Sequence, residues 1–113
     1  MEITIKPEGS VTVISITDKL DMATSGQMAE AFTHQLQDGQ VKLVADFSRL
    51  TYLSSAGLRV LLTATKEARA RGGDLRLAAI QSNEVDKVLR MSGLSNILKV
   101  YPDTALAIAS FAA

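Results

Sequence analysis

The sequence predicts an α/β domain, a mixed β-sheet with an N-terminal hairpin and about four helices in the order ββαβαβαβα. Three observations carry that prediction. Residues 3–6 alternate apolar and polar side chains, and Leu75, Leu77 and Ala79 recur at every second position, the period-two mark of strands with one buried face. Residues 28–36 place Met28, Ala31, Phe32 and Leu36 at helical spacing. After the opening hairpin, strand and helix patterns alternate to the end of the chain, which calls for a sheet covered by helices. The 113 residues fit one domain, 1–113, with no linker, repeat or low-complexity tract.

Ile3 and Ile5 alternate with Glu2, Thr4 and Lys6, and Pro7-Glu8-Gly9 breaks this first strand. The β-branched run from Ser10 to Ile16 answers it as the second arm of a hairpin. Asp18-Lys19-Leu20-Asp21 reads as a polar turn around one leucine. A helix from about Thr24 to Gln37 follows, with Gly39 as its stop. Lys42 to Asp46 holds Leu43-Val44-Ala45, an apolar run expected in a central strand covered on both faces. Phe47 to Ser54 is expected as loop, and Ser55 to about Arg71 as a second helix ended by Gly72-Gly73. Asp74 to Ile80 is a strand, and Ser82 or Asn83 caps a helix that Gly93 terminates. Ile97 to Tyr101 is a last strand, and Asp103 caps a terminal helix.

Composition narrows the function classes. Twelve basic residues balance twelve acidic ones, so the chain lacks the basic excess expected of a protein that grips nucleic acid or an anionic membrane. It has no cysteine and one histidine, which removes thiolate chemistry, disulfides and multi-histidine metal sites. No apolar run nears the roughly 20 residues of a membrane span. The amino terminus lacks the pattern of a signal peptide, so a cytoplasmic location is expected.

Catalytic arrangements fare no better. His34 is the one imidazole, and the serine-rich turn reads Leu53-Ser54-Ser55-Ala56-Gly57 rather than a nucleophile elbow, so His34 reads as a surface histidine. Gly72-Gly73 precedes Asp74 with no Gly-Lys-Ser/Thr, which excludes a Walker loop. Asp46 closes a strand as a phospho-aspartate would, but no acidic pair follows the first strand to hold Mg²⁺. The basic residues are dispersed, and Tyr52 and Tyr101 make no stacking platform. Met22, Met28 and Met91 are expected in core or rim packing. The sequence thus gives no catalytic residue, metal ligand or cofactor site, and no enzyme activity is expected.

One segment asks for more. Thr51 to Leu58 leaves a loop and opens a helix with two adjacent serines. A helix cap is the simpler reading on physical grounds, since one hydroxyl satisfies orphan N–H groups for about 1 kcal/mol. The second hydroxyl exceeds what a cap needs. A helix N-terminus also favours negative charge, so a serine there can carry phosphate without disrupting its own fold.

The run Val44 to Leu58, with its Ser54-Ser55-Ala56-Gly57 helix start, resembles the signature of STAS-domain anti-sigma-factor antagonists. Leu20-Asp21-Met22-Ala23-Thr24 is similar to that family's Leu-Asp-x-x-Thr, and Met91-Ser92-Gly93-Leu94 to its Ser-Gly-Leu turn. Three motifs in order, over essentially the whole chain, are more specific than any one of them. The resemblance implies a STAS-like fold and a bacterial partner-switching protein without catalytic activity. Its implied partners are an anti-sigma factor that is also a serine kinase of histidine-kinase-like ATPase fold, and a phosphatase of the PP2C type that resets the switch. Carried over by motif position, Ser55 is the phosphoacceptor, with Ser54 as runner-up. Asp21, Thr24, Ser54, Ser55, Ala56 and Gly57 form the implied partner-binding surface.

Ser54 stands where some members have Asp, which leaves the acceptor open by one residue. Asp18 stands where members often have Gly, at a turn position where Asp tolerates positive φ. A scaffold role without phosphorylation, as in a lipid-transporter or secretion-regulating complex, is the alternative the resemblance allows. The free chain is expected to be monomeric. Asp21→Ala is expected to weaken partner capture with little change in thermal midpoint.

Overall fold

The computed structural model describes residues 2–112. Strands β1 (Ile3–Glu8) and β2 (Val11–Ile16) form the expected antiparallel hairpin, turned by Gly9 at a φ of 66°. Helix α1 (Ser25–Gln37) leads to β4 (Lys42–Asp46), which runs parallel to β2, and a short strand β3 (Asp18–Leu20) precedes that helix. Strand β5 (Leu50–Leu53) and helix α2 (Ser55–Ala70) come next, then β6 (Asp74–Ala78) and α3 (Asn83–Met91). The short β7 (Val100–Tyr101) and α4 (Thr104–Ala109) complete the order.

The main sheet runs β1-β2-β4-β6-β7, parallel except for β1. β4 lies at its centre, and Leu43, Val44 and Ala45 are all fully buried, as its unbroken apolar run requires. Alternation along the strands divides them between two faces. Ile14, Ile16, Leu43, Ala45, Leu75 and Leu77 pack with Met28, Phe32 and Leu36 of α1, Leu61, Ala64 and Ala68 of α2, and Val85 and Leu89 of α3. Val11, Val13, Val44 and Ala78 point the other way, where Ala107 and Ile108 of α4 and Phe111 cover them. Three helices therefore lie on one face and the terminal helix on the other.

The structure departs from the sequence-based expectations in definite places. Residues 18–20 and 50–53, expected as turn and loop, are strands β3 and β5, paired parallel in a second, two-stranded sheet. They are too short for period two to show, and only Leu20 and the two leucines of β5 are buried. The expected strand 97–101 shrinks to two residues, because Leu94–Asn96 close a 3-10 turn after Gly93. Ile5 is 43 % exposed, since β1 is the edge strand. Met28 is buried as expected, but Met22 and Met91 are 85 % and 78 % exposed, against the expectation of packing.

Gly72, at a φ of 88°, is the expected helix stop, whereas Gly73 has a separate duty. A Cβ on Gly73 would lie 1.9 Å from the carbonyl oxygen of Val41, so its missing side chain lets the chain pass against the start of β4. Asp18 adopts a φ of 64°, the conformation its side chain tolerates.

Candidate functional site

β3 and β5 carry the chain beyond the C-terminal ends of the main strands and release it side by side. Leu20 is paired with Leu53, and the Ser54 N–H donates to the Leu20 carbonyl at 2.9 Å. Asp21 and Ser54 are therefore neighbours, although 33 positions part them in sequence. Gly57 locks the first turn of α2 down on this junction. A Cβ there would stand 2.8 Å from Leu53 Cδ1 and 2.9 Å from Leu20 Cγ, which only glycine avoids.

The turn before α1 is built around one carboxylate oxygen. Asp21 Oδ1 accepts from the Ala23 N–H at 2.9 Å and the Thr24 N–H at 3.1 Å, and lies 3.1 Å from the Thr24 hydroxyl. Thr24 Oγ1 in turn accepts from the Asp21 N–H at 3.0 Å and reaches the Lys19 carbonyl at 2.9 Å. The hydroxyl of Thr24 thus closes the turn and does not cap α1. Its hydrogen bond to Asp21 is the main cause holding that carboxyl below its ordinary value, helped by the Thr24 and Ala23 amides.

The two serines divide their duties. Ser54 is the N-cap of α2, its backbone extended and its Oγ accepting from the Gly57 N–H at 3.2 Å. Ser55, the first helical residue, is exposed. Ala56 is half-buried and Gly57 buried, so Gly57 shapes the surface from beneath. The structure brings Asp21, Thr24, Ser54 and Ser55 to one junction.

Sequence reasoning missed what holds the junction together, the β3–β5 pairing. One signal was available: Leu20 and Leu53 are apolar residues set in polar surroundings, each immediately before a candidate site residue. Asp46, considered for phosphorylation, accepts from the Ser15 hydroxyl and the Ser48 N–H, both at 3.0 Å, and ties β4 to β2. Among the described residues no group of three or more His, Asp or Glu could hold a metal ion. Among these described residues no helix is long and apolar enough to cross a membrane.

A model of the STAS domain matches residues 2–107. The chain belongs to the STAS-domain family. It is similar to BtrV of Bordetella bronchiseptica, provisionally described as an anti-sigma factor antagonist, with 30 % identity over 98 % of this chain and 95 % of the relative. Its fold matches the crystal structure of an anti-sigma factor antagonist from Mycobacterium paratuberculosis, with a TM-score of 0.88 and 22 % identity over 96 % of this chain and 92 % of that one. It also matches Bacillus SpoIIAA in its phosphorylated form, with a TM-score of 0.76 and 21 % identity over 98 % of this chain and 100 % of that one. This STAS domain keeps the family's mixed sheet and opening hairpin.

Proposed function

We propose that this STAS protein is a cytoplasmic anti-sigma-factor antagonist that works by partner switching. Its unmodified form binds an anti-sigma factor that is also a serine kinase of histidine-kinase-like ATPase fold. Phosphorylation of Ser55 releases the complex, and a PP2C-type phosphatase restores the binding form. The protein itself performs no catalysis. The observation that carries this reading is the division between the serines: Ser55 is exposed, while the Ser54 hydroxyl is engaged in the helix cap. The descriptions of its relatives support the antagonist role, and the phosphorylated form of SpoIIAA supports a phosphate-controlled one.

The physical logic is charge placed at a docked surface. Phosphate brings about −1.5 to −2 charges, which the N-terminus of α2 tolerates. A partner packed over Ser55 does not tolerate them. One opposing carboxylate about 5 Å away costs roughly 3 kcal/mol per unit charge at an effective dielectric near 20, and about 1.4 kcal/mol is a tenfold loss of affinity.

Incubation with the kinase and ATP, followed by intact-mass and site mapping, tests the reading. One phosphoryl group on Ser55 is expected. Ser55→Ala should stay bound in the presence of ATP, and Ser55→Asp should bind poorly. Ser54→Ala should lose about 1 kcal/mol of cap stability and still be phosphorylated. Phosphate mapped to Ser54 would overturn the assignment, and a stable complex that gains no mass would favour a scaffold role.

A further inference from the structure

Met22 is the most exposed large apolar side chain among the described residues, at 85 %, and it stands in the turn between Asp21 and Thr24. Single exposed apolar residues are common on protein surfaces. Two things set this one apart. The first is place: Met22 lies two positions after Leu20, and Ser55 two positions after Leu53, the residue paired with Leu20. The chains that carry them leave neighbouring strands, which lie about 4.8 Å apart in a sheet. The second is support. The backbone on both sides of Met22 is held by Asp21 Oδ1 and Thr24 Oγ1, and the Met22 carbonyl faces the hydroxyl of buried Ser25 at 3.4 Å. A flexible apolar side chain is thus offered to solvent from a fixed base.

We propose that Met22 is the apolar anchor by which this surface seats its protein partner, an anti-sigma factor offering a small apolar pocket beside the groups that meet Ser55. The proposal rests on the partner-switching reading and names a residue that reading does not require. A fixed backbone means that docking orders only the side chain, so little of the gain from burial is lost to entropy. The thioether adapts to an irregular pocket better than a branched side chain does. Asp21 then has two parts in the surface. One carboxylate oxygen positions Met22 through the turn, and its neighbour Oδ2 accepts none of the turn's hydrogen bonds.

Calorimetric titration tests this with the anti-sigma factor that the wild-type chain retains from its own cells, purified, against wild type and three variants. Met22→Ala should bind about ten- to hundredfold more weakly, as loss of one buried apolar anchor requires. Met22→Leu should stay within about threefold of wild type. Met91→Ala is the control, since Met91 is nearly as bare of packing but stands at the end of α3, on neither the turn before α1 nor the head of α2. It should bind as wild type does, and thermal midpoints should not move in any variant. Wild-type affinity for Met22→Ala, or equal loss in Met91→Ala, would overturn the proposal and leave the partner-switching reading standing. Failure of the wild-type chain to retain any anti-sigma factor would overturn both. A chain that self-associates in sedimentation through Met22, with no change in anti-sigma binding, would make a second copy the occupant and also overturn it.

Discussion

Gly57 and Ser55 sit two residues apart and answer to opposite demands. Gly57 exists for the leucines beneath it, and its replacement by alanine would press a methyl group against Leu20 and Leu53. Overpacking of this kind costs about 1–3 kcal/mol. Gly57→Ala should therefore lower the urea midpoint with an unchanged slope; a variant as stable as wild type would show that the leucines can yield. Ser55 answers to solvent, and so does Arg59, one helical turn further along the same face. In the phosphorylated state proposed above, a guanidinium at i+4 draws the phosphoserine dianion and favours its second ionisation. Arg59→Gln should raise the pKa of that second ionisation, ordinarily about 6, in a ³¹P shift titration. Identical titrations would place the phosphate out of reach of Arg59.

The element that matters most to the site is the turn between β3 and α1, and it changes what Asp21 is expected to do. Its carboxylate holds three hydrogen-bond donors of its own turn, so Asp21→Ala removes a structural group and should lower the thermal midpoint as well as binding. The expectation of an unchanged midpoint, drawn from sequence, gives way for that reason. These bonds set the sign of a pH effect. They keep the folded-state carboxyl below its ordinary value, so its contribution is present above about 3.9 and is lost as pH falls through the folded value. Asp21→Asn keeps an acceptor but cannot titrate. The midpoint difference between wild type and Asp21→Asn should be constant above about pH 5 and narrow in more acid solution. A difference that is flat through the acid range would show that the carboxylate does not stabilise the turn.

For the molecule as a whole, one ion-pair network centred on buried Asp74 joins both faces of the sheet. Asp74, at the start of β6, accepts from Arg69 Nε of α2 at 2.8 Å and from Arg76 Nε at 3.0 Å. Arg76 continues to the Ser110 hydroxyl at 2.7 Å and lies over the Phe111 ring at 3.9 Å, which fastens the end of α4. Arg69 reaches the Ile97 carbonyl at 2.8 Å and steadies the segment leading to β7. Arg76→Ala should cost about 2–4 kcal/mol, because it removes a buried ion pair and the ring contact together. Hydrogen exchange should quicken at residues 104–109 and leave α1 protected. Uniform loss of protection would instead make Arg76 a support of the whole core.

The sequence by itself determined the main sheet and the four helices, because alternation, helical spacing, caps and glycine stops are local patterns. The strand Lys42–Asp46, the start of α2 at Ser55 and the positive φ of Asp18 were all legible in this way. The three family motifs were legible too, and the STAS model now spans them. Tertiary structure decided the rest. Pairing of β3 with β5 joins residues some 30 positions apart, and strands of three and four residues carry no readable period. Met22 stands in the turn before α1 and Met91 at the end of α3, and their exposure depends on what packs against those places, a matter no local pattern records. The roles of Ser54 and Ser55 were separated only by the backbone at the head of α2. There the extended residue before the helix turns its hydroxyl inward to the Gly57 amide, and the next residue faces water.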